Sequence, residues 1–170
     1  DHTVLACASR LKIIANYAVG YNNIDVAAAR QRGIVVSNTP DVLTDATADL
    51  TWALLLAVTR RVVEGDRWLR TGQWPGWAPT QMLGGDLTGK TLGIIGMGRI
   101  GQAVALRAAG FRMPVLYTSR RPVTVPAGLS WKRCSLDEVL TQSDFLSLHV
   151  PLTGTTRHLI GAHQLQNMKP

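Results

Sequence analysis

Gly96, Gly98 and Gly101 stand at GxGxxG spacing in Gly96-Met97-Gly98-Arg99-Ile100-Gly101, directly after the apolar run TLGII and at the start of a helical pattern reaching about Ala109. Each glycine of such a loop has its own duty: Gly96 makes the tight turn, Gly98 lets the backbone approach a pyrophosphate, and Gly101 lets helix and strand pack closely. The anion then rests on the helix amino end, where exposed amides and the positive end of the helix dipole favour negative charge. A dinucleotide site also needs a group for the adenosine ribose about twenty residues further on, at the tip of the second strand. Here that strand ends Leu116-Tyr117-Thr118-Ser119-Arg120-Arg121, and the first acid after Gly101 is Asp137. A carboxylate would accept from a 2′-hydroxyl and repel a 2′-phosphate, whereas Ser119 with two guanidiniums offers hydrogen bonds and charge to that phosphate. The residues favour NADP(H) over NAD(H), with a solvated basic turn as the alternative reading.

The elements that must position these groups alternate along the chain. Residues 11–19 are apolar and β-branched enough for a buried strand ending at Gly20, and Asp25 caps a helix over 26–32 that Gly33 stops. A short strand over 34–36 completes a strand-helix-strand unit. After Thr39-Pro40, Thr44 or Asp45 is expected to cap one long helix over 45–70, whose middle, TWALLLAV, is apolar all round and belongs between two layers, two domains or two subunits, with a core helix inside one domain as the alternative reading. Residues 71–89 are rich in glycine and read as a connection. Strands over 91–95, 115–117 and 145–150 then alternate with helices over 99–109, 135–140 and from about 162. This order implies an α/β fold with a parallel sheet of three strands.

Composition narrows the function classes. In 170 residues, 46% apolar and 17% charged content describes a chain that buries a core, which excludes intrinsic disorder. The net charge of +7 makes anionic partners worth testing, but the basic residues form no block, and no recognition motif argues for nucleic acid. Cys7 and Cys134 lie far apart without Cys or His at metal spacing, so neither a disulfide framework nor a metal site is read, and a cytoplasmic location is the default. No apolar run is long enough to span a membrane, and no targeting peptide is visible. The chain starts without Met and stops at Lys169-Pro170 just after a helical pattern, so a piece of a longer protein is expected.

The segments AVGYNNID (18–25), TPDVLTDATADLTWALLLA (39–57), TLGIIGMGRIG (91–101), LYTSRRP (116–122) and HVPLT (149–153) resemble, in this order, the D-isomer-specific 2-hydroxyacid dehydrogenases, with the strongest likeness to glyoxylate and hydroxypyruvate reductases. The resemblance implies a remnant of a flavodoxin-like substrate domain over 1–40. It implies the first half of a doubly wound Rossmann-type domain over 41–170, with helix 45–70 at an interdomain or dimer contact. By the same likeness Val19 and Gly20 give backbone amides to a substrate carboxylate, and exposed amides at a strand end do form an anion-binding concavity. Gly98, Arg99 and Ile100 would lie on the pyrophosphate, Ser119, Arg120 and Arg121 at the 2′-phosphate, and Val150, Pro151 and Thr156 beside the cofactor.

The implied reaction is NADPH-dependent reduction of a small 2-oxo acid to the D-2-hydroxy acid, in a homodimer. The family's catalytic Arg, Glu and His are expected beyond Pro170, and His149, His158 and His163 match none of them, so these 170 residues should bind cofactor without turnover. The first sheet strand would lack a neighbour on one side, and the chain alone would fold poorly or self-associate. The rival reading is a non-catalytic nucleotide-binding interaction module on the same fold.

Overall fold

The computed structural model describes residues 1–170. They form two compact units, one of residues 1–43 with 151–159 and one of residues 44–150 with 160–170.

The smaller unit opens with helix α1 (His2–Cys7), which the sequence reading did not foresee; Asp1 caps it by accepting from the Val4 amide. Strands β1 (Ile13–Ala15) and β2 (Val35–Ser37) pair in parallel around helix α2 (Val26–Gln31), with Asp25 as the expected cap. β1 is shorter than the strand read over 11–19. Past Ala15 only single backbone bonds continue the pairing, from the Asn16 amide to the Ser37 carbonyl (2.9 Å) and from the Thr39 amide to the Ala18 carbonyl (3.1 Å), while Tyr17 is 98% exposed and the Asn16 side chain donates to the Gly20 carbonyl (2.8 Å). Leu5, Ala29 and Ile34 form this unit's small core.

In the larger unit the expected helix 45–70 is two helices, α3 (Thr44–Thr59) and α4 (Val62–Arg70). Thr44 is already helical rather than a cap, and Asp45 lies in the first turn. The break has a local cause. The Thr59 hydroxyl donates back to the Leu55 carbonyl (2.7 Å), a contact that bends helices, and Arg61 takes a left-handed φ of 54°. The Thr59 carbonyl is then capped by the Gly85 amide at 2.9 Å instead of by its own helix. Nor is α3 covered all round. Ala48 and Trp52 are buried, whereas Leu50, Leu54 and Val58 are 58%, 58% and 79% exposed.

The sheet of this unit has four parallel strands, not three. Strand β3 (Leu92–Ile95) lies between β4 (Val115–Thr118) and β6 (Phe145–Leu148), and β5 (Trp131–Arg133) pairs on the outer side of β4. The first strand therefore has neighbours on both sides, and the edges are β5 and β6. A three-residue strand reading Trp-Lys-Arg has no apolar alternation to reveal it. The register with β4, which sets Trp131 beside Val115, and the packing of Trp131 on the core hold it in place.

Helix α5 (Arg99–Ala108) packs β3 on one face, continuing into a 3₁₀ turn at Ala109–Phe111, and α6 (Leu136–Gln142) packs the other. α6 starts at a capping box between Ser135 and Glu138, and α7 (Ala162–Gln166) follows β6. Trp52 reaches from α3 to donate its indole N–H to the Val104 carbonyl (3.1 Å) and stacks on Phe111. Arg107 ties α5 to α3 through Asp45 and Asp49 at 3.1 and 2.7 Å, and both carboxylates raise its pKa. Gly93 sits in mid-strand because α6 lies so close that a Cβ there would run into the Ser143 side chain. At the sheet's opposite end the Asp144 carboxylate accepts from the Thr91 amide (2.8 Å) and pairs with Lys169 (2.9 Å), which together hold its pKa below the usual value.

Candidate functional site

Strand β3 ends at the carboxyl edge of the sheet, and the glycine loop begins there. The Gly96 amide donates to the carbonyl of Thr118, the last residue of β4, at 2.9 Å. That bond sets the loop beside the turn Ser119-Arg120-Arg121, as the parallel register of Ile95 against Thr118 requires. Gly96 takes φ of +98°, and a Cβ there would lie 2.5 Å from the His149 carbonyl oxygen and 2.8 Å from Val150 Cγ1. Only glycine lets the loop cross the end of β6 so closely. A Cβ on Gly101 would strike the Gly96 carbonyl, so this glycine sets the distance between helix and loop.

Gly98 differs from both. It is exposed, its φ of −77° is ordinary, and a Cβ there would meet nothing within 4 Å. It is the N-cap residue of α5 and supplies no capping side chain, so open space lies where the helix presents its amino end. Arg99 and Ile100 are the next two residues. An anionic group fits this cradle, because the backbone can approach it without a side chain in the way.

The basic turn stands next to it. Arg120 and Arg121 are exposed, and the Ser119 hydroxyl donates to the Arg121 carbonyl, folding the turn on itself. Arg133 on β5, a residue that the sequence pattern did not single out, donates through Nη2 to the carbonyls of Ser119 (2.8 Å) and Arg120 (3.2 Å).

Val150 borders the glycine loop from the end of β6. Its neighbour His149 donates its amide to Ile95 O (2.7 Å) and bonds Ser147 Oγ through Nε2 (2.8 Å). Burial pushes the His149 pKa down, which favours the neutral form of the ring. His158 is exposed with φ of 55°, and His163 is exposed on α7.

Four of the expected residues belong to the smaller unit. The Val19 carbonyl accepts from Asn38 Nδ2 (2.9 Å) and the Gly20 carbonyl from Asn16 Nδ2 (2.8 Å), so two asparagines absent from the sequence reading fix this peptide pair. Thr156 Oγ1 donates to the Pro151 carbonyl and accepts from the Thr153 amide (2.8 Å), closing a tight loop over 151–156.

Comparison with known proteins gives the arrangement a family. Residues 52–170 match the model of the D-isomer specific 2-hydroxyacid dehydrogenase, NAD binding domain. The chain is 54% identical over its whole length to a glyoxylate reductase of Thermococcus litoralis, covering 53% of that protein. It is 55% identical over 99% of its length to a glyoxylate reductase of Pyrococcus horikoshii, covering 52%. The crystal structure of TT0316 protein from Thermus thermophilus superposes with a TM-score of 0.92 at 53% identity, over 99% of this chain and 53% of that one. The chain thus spans about half the length of the curated relatives it matches. The glycine loop at the β3–α5 junction, the parallel sheet and the match over 52–170 agree, and the chain belongs to the D-isomer specific 2-hydroxyacid dehydrogenase family.

Proposed function

We propose that this chain carries the NADP(H) site of a reductase that converts a small 2-oxo acid, of the glyoxylate or hydroxypyruvate kind, to its D-2-hydroxy acid. The observation that carries the reading is the open backbone at Gly98 on the amino end of α5, next to a turn with two arginines and no acid. Gly96, Gly98, Arg99, Ile100 and Gly101 would hold the pyrophosphate. Ser119, Arg120 and Arg121 would hold the adenosine 2′-phosphate by charge-assisted hydrogen bonds, which a free 2′-hydroxyl matches less well. Val150, Pro151 and Thr156 would lie beside the cofactor. The relatives' printed name, glyoxylate reductase, supports the substrate class.

In this reading residues 1–40 are the remnant of a substrate domain, and 41–170 the first half of the cofactor domain. The Val19 and Gly20 amides hold the substrate carboxylate, and the asparagine bonds to the neighbouring carbonyls keep those amides in place. The bound nicotinamide supplies hydride to the substrate's carbonyl carbon. No histidine of this chain takes the acid's role, so the 170 residues bind cofactor and do not turn over by themselves. The exposed row Leu50, Leu54 and Val58 on α3 is the face for a second copy. The protein works in the cytoplasm, consistent with two unpaired cysteines.

The test is NADPH oxidation with glyoxylate and with hydroxypyruvate, on the 170-residue chain and on the longer gene product. Turnover by the longer protein alone, with its KM for NADPH raised about tenfold or more by Gly98→Ala, supports the reading. A longer protein that binds NADPH yet reduces neither acid contradicts it and favours a nucleotide-binding interaction module.

A further inference from the structure

The turn that bears Arg120 and Arg121 is exposed, lies past the end of β4, and has no neighbour across the sheet to hold it by backbone pairing. What holds it is a third guanidinium. β5 is locked beside β4 by its register of Tyr117 against Arg133 and by the Cys134 amide, which donates to the Tyr117 carbonyl at 2.9 Å. From that fixed base Arg133 donates one nitrogen to two successive carbonyls, Ser119 O at 2.8 Å and Arg120 O at 3.2 Å, while the Ser119 hydroxyl closes the turn onto Arg121 O. The contacts of Arg133 run to backbone carbonyls, so they fix where the chain carries its two arginines whatever rotamers those adopt.

We infer that Arg133 is the positioning residue of the phosphate turn: by holding the Ser119 and Arg120 carbonyls it pre-forms the site that distinguishes a 2′-phosphate from a 2′-hydroxyl. The inference rests on the reading of Ser119–Arg121 as the 2′-phosphate site. Gripping a phosphate with two long side chains costs conformational entropy, and the cost rises if the backbone bearing them must be ordered as well. An arginine that orders that backbone beforehand raises affinity for the phosphorylated cofactor and leaves the unphosphorylated one unaffected.

The experiment compares the parent chain, Arg133→Met, which keeps the aliphatic stem and removes the donors, and Arg120→Ala with Arg121→Ala. NADPH and NADH affinities are read by tryptophan fluorescence, and NMR backbone order parameters at Ser119–Arg121 are read without cofactor. Arg133→Met should weaken NADPH by about tenfold, on the order of the cost of ordering one further backbone residue on binding. NADH binding should stay at the parent value, which also reports that the variant is folded, and backbone order in the turn should fall. Unchanged NADPH affinity in Arg133→Met, with a loss in the double variant, overturns the inference and leaves the cofactor reading intact. A loss of NADPH affinity without a fall in backbone order also overturns it, because Arg133 would then act by its charge alone. An unchanged double variant overturns both.

Discussion

Alanine substitutions at two neighbouring glycines of the loop should have opposite effects. Gly96→Ala puts a methyl group 2.5 Å from the His149 carbonyl oxygen and 2.8 Å from Val150 Cγ1, at a φ of +98° that L-residues rarely adopt. The backbone strain costs about 1–3 kcal/mol and the overpacking a similar amount, so the variant should lose about 2–6 kcal/mol. For a chain of this size the melting temperature falls by on the order of 10 °C. Gly98→Ala meets nothing within 4 Å and keeps φ at an ordinary −77°. Reduced freedom of the unfolded chain favours alanine by about 0.4–1 kcal/mol, and the poorer N-cap costs a similar amount, so stability stays within about 0.5 kcal/mol. Yet the new methyl occupies the approach to the amino end of α5, and NADPH affinity should drop by about tenfold or more, some 1.4 kcal/mol per decade. Urea unfolding followed by tryptophan fluorescence gives the stabilities, and titration with NADPH gives the affinities. A Gly98→Ala chain that binds like the parent refutes the assignment of this loop. A Gly96→Ala chain of parental stability refutes the packing argument.

Three further outcomes follow from the same contacts. The folded pKa of Asp144 lies below its ordinary value of 3.8, chiefly through the Thr91 amide and then Lys169, so its stabilisation is full above that value and fades as pH falls through the folded pKa. Asp144→Asn should therefore be less stable than the parent at pH 7 and show a flatter loss of stability in acid, measured by urea unfolding across pH. Trp52→Phe keeps a ring near Phe111 but removes the bond to the Val104 carbonyl and should cost about 1 kcal/mol, whereas Trp52→Ala should cost about 3–5 kcal/mol by emptying the site. Leu54→Asp, at a position 58% exposed, should leave unfolding of the monomer within about 0.5 kcal/mol and shift sedimentation towards the monomer if α3 is the self-association face.

The glycine loop and the arginine turn were legible because glycine spacing and strand-end position are local properties of the chain. The Asp25 cap was legible for the same reason. What the pattern concealed depends on distant partners. The break between Thr59 and Val62 needs the Gly85 amide, far along the chain from Thr59, to take over a carbonyl that the helix releases. β5 is three residues of mixed polarity whose assignment rests on β4, and without β5 there was no route to Arg133. Asn16 lay inside the strand expected over 11–19 and Asn38 carried no signal of its own, until the fold brought their amides to the Gly20 and Val19 carbonyls.

The central claim is that this chain recognises the phosphate on the adenosine ribose. Its most direct test is the ratio of NADH to NADPH dissociation constants for the parent chain and for Arg120→Ala with Arg121→Ala, by tryptophan fluorescence at fixed ionic strength. A ratio of about ten or more is expected in the parent, collapsing towards one in the double variant through loss of NADPH affinity alone. Equal affinities in the parent, or a double variant that still prefers NADPH, would contradict it.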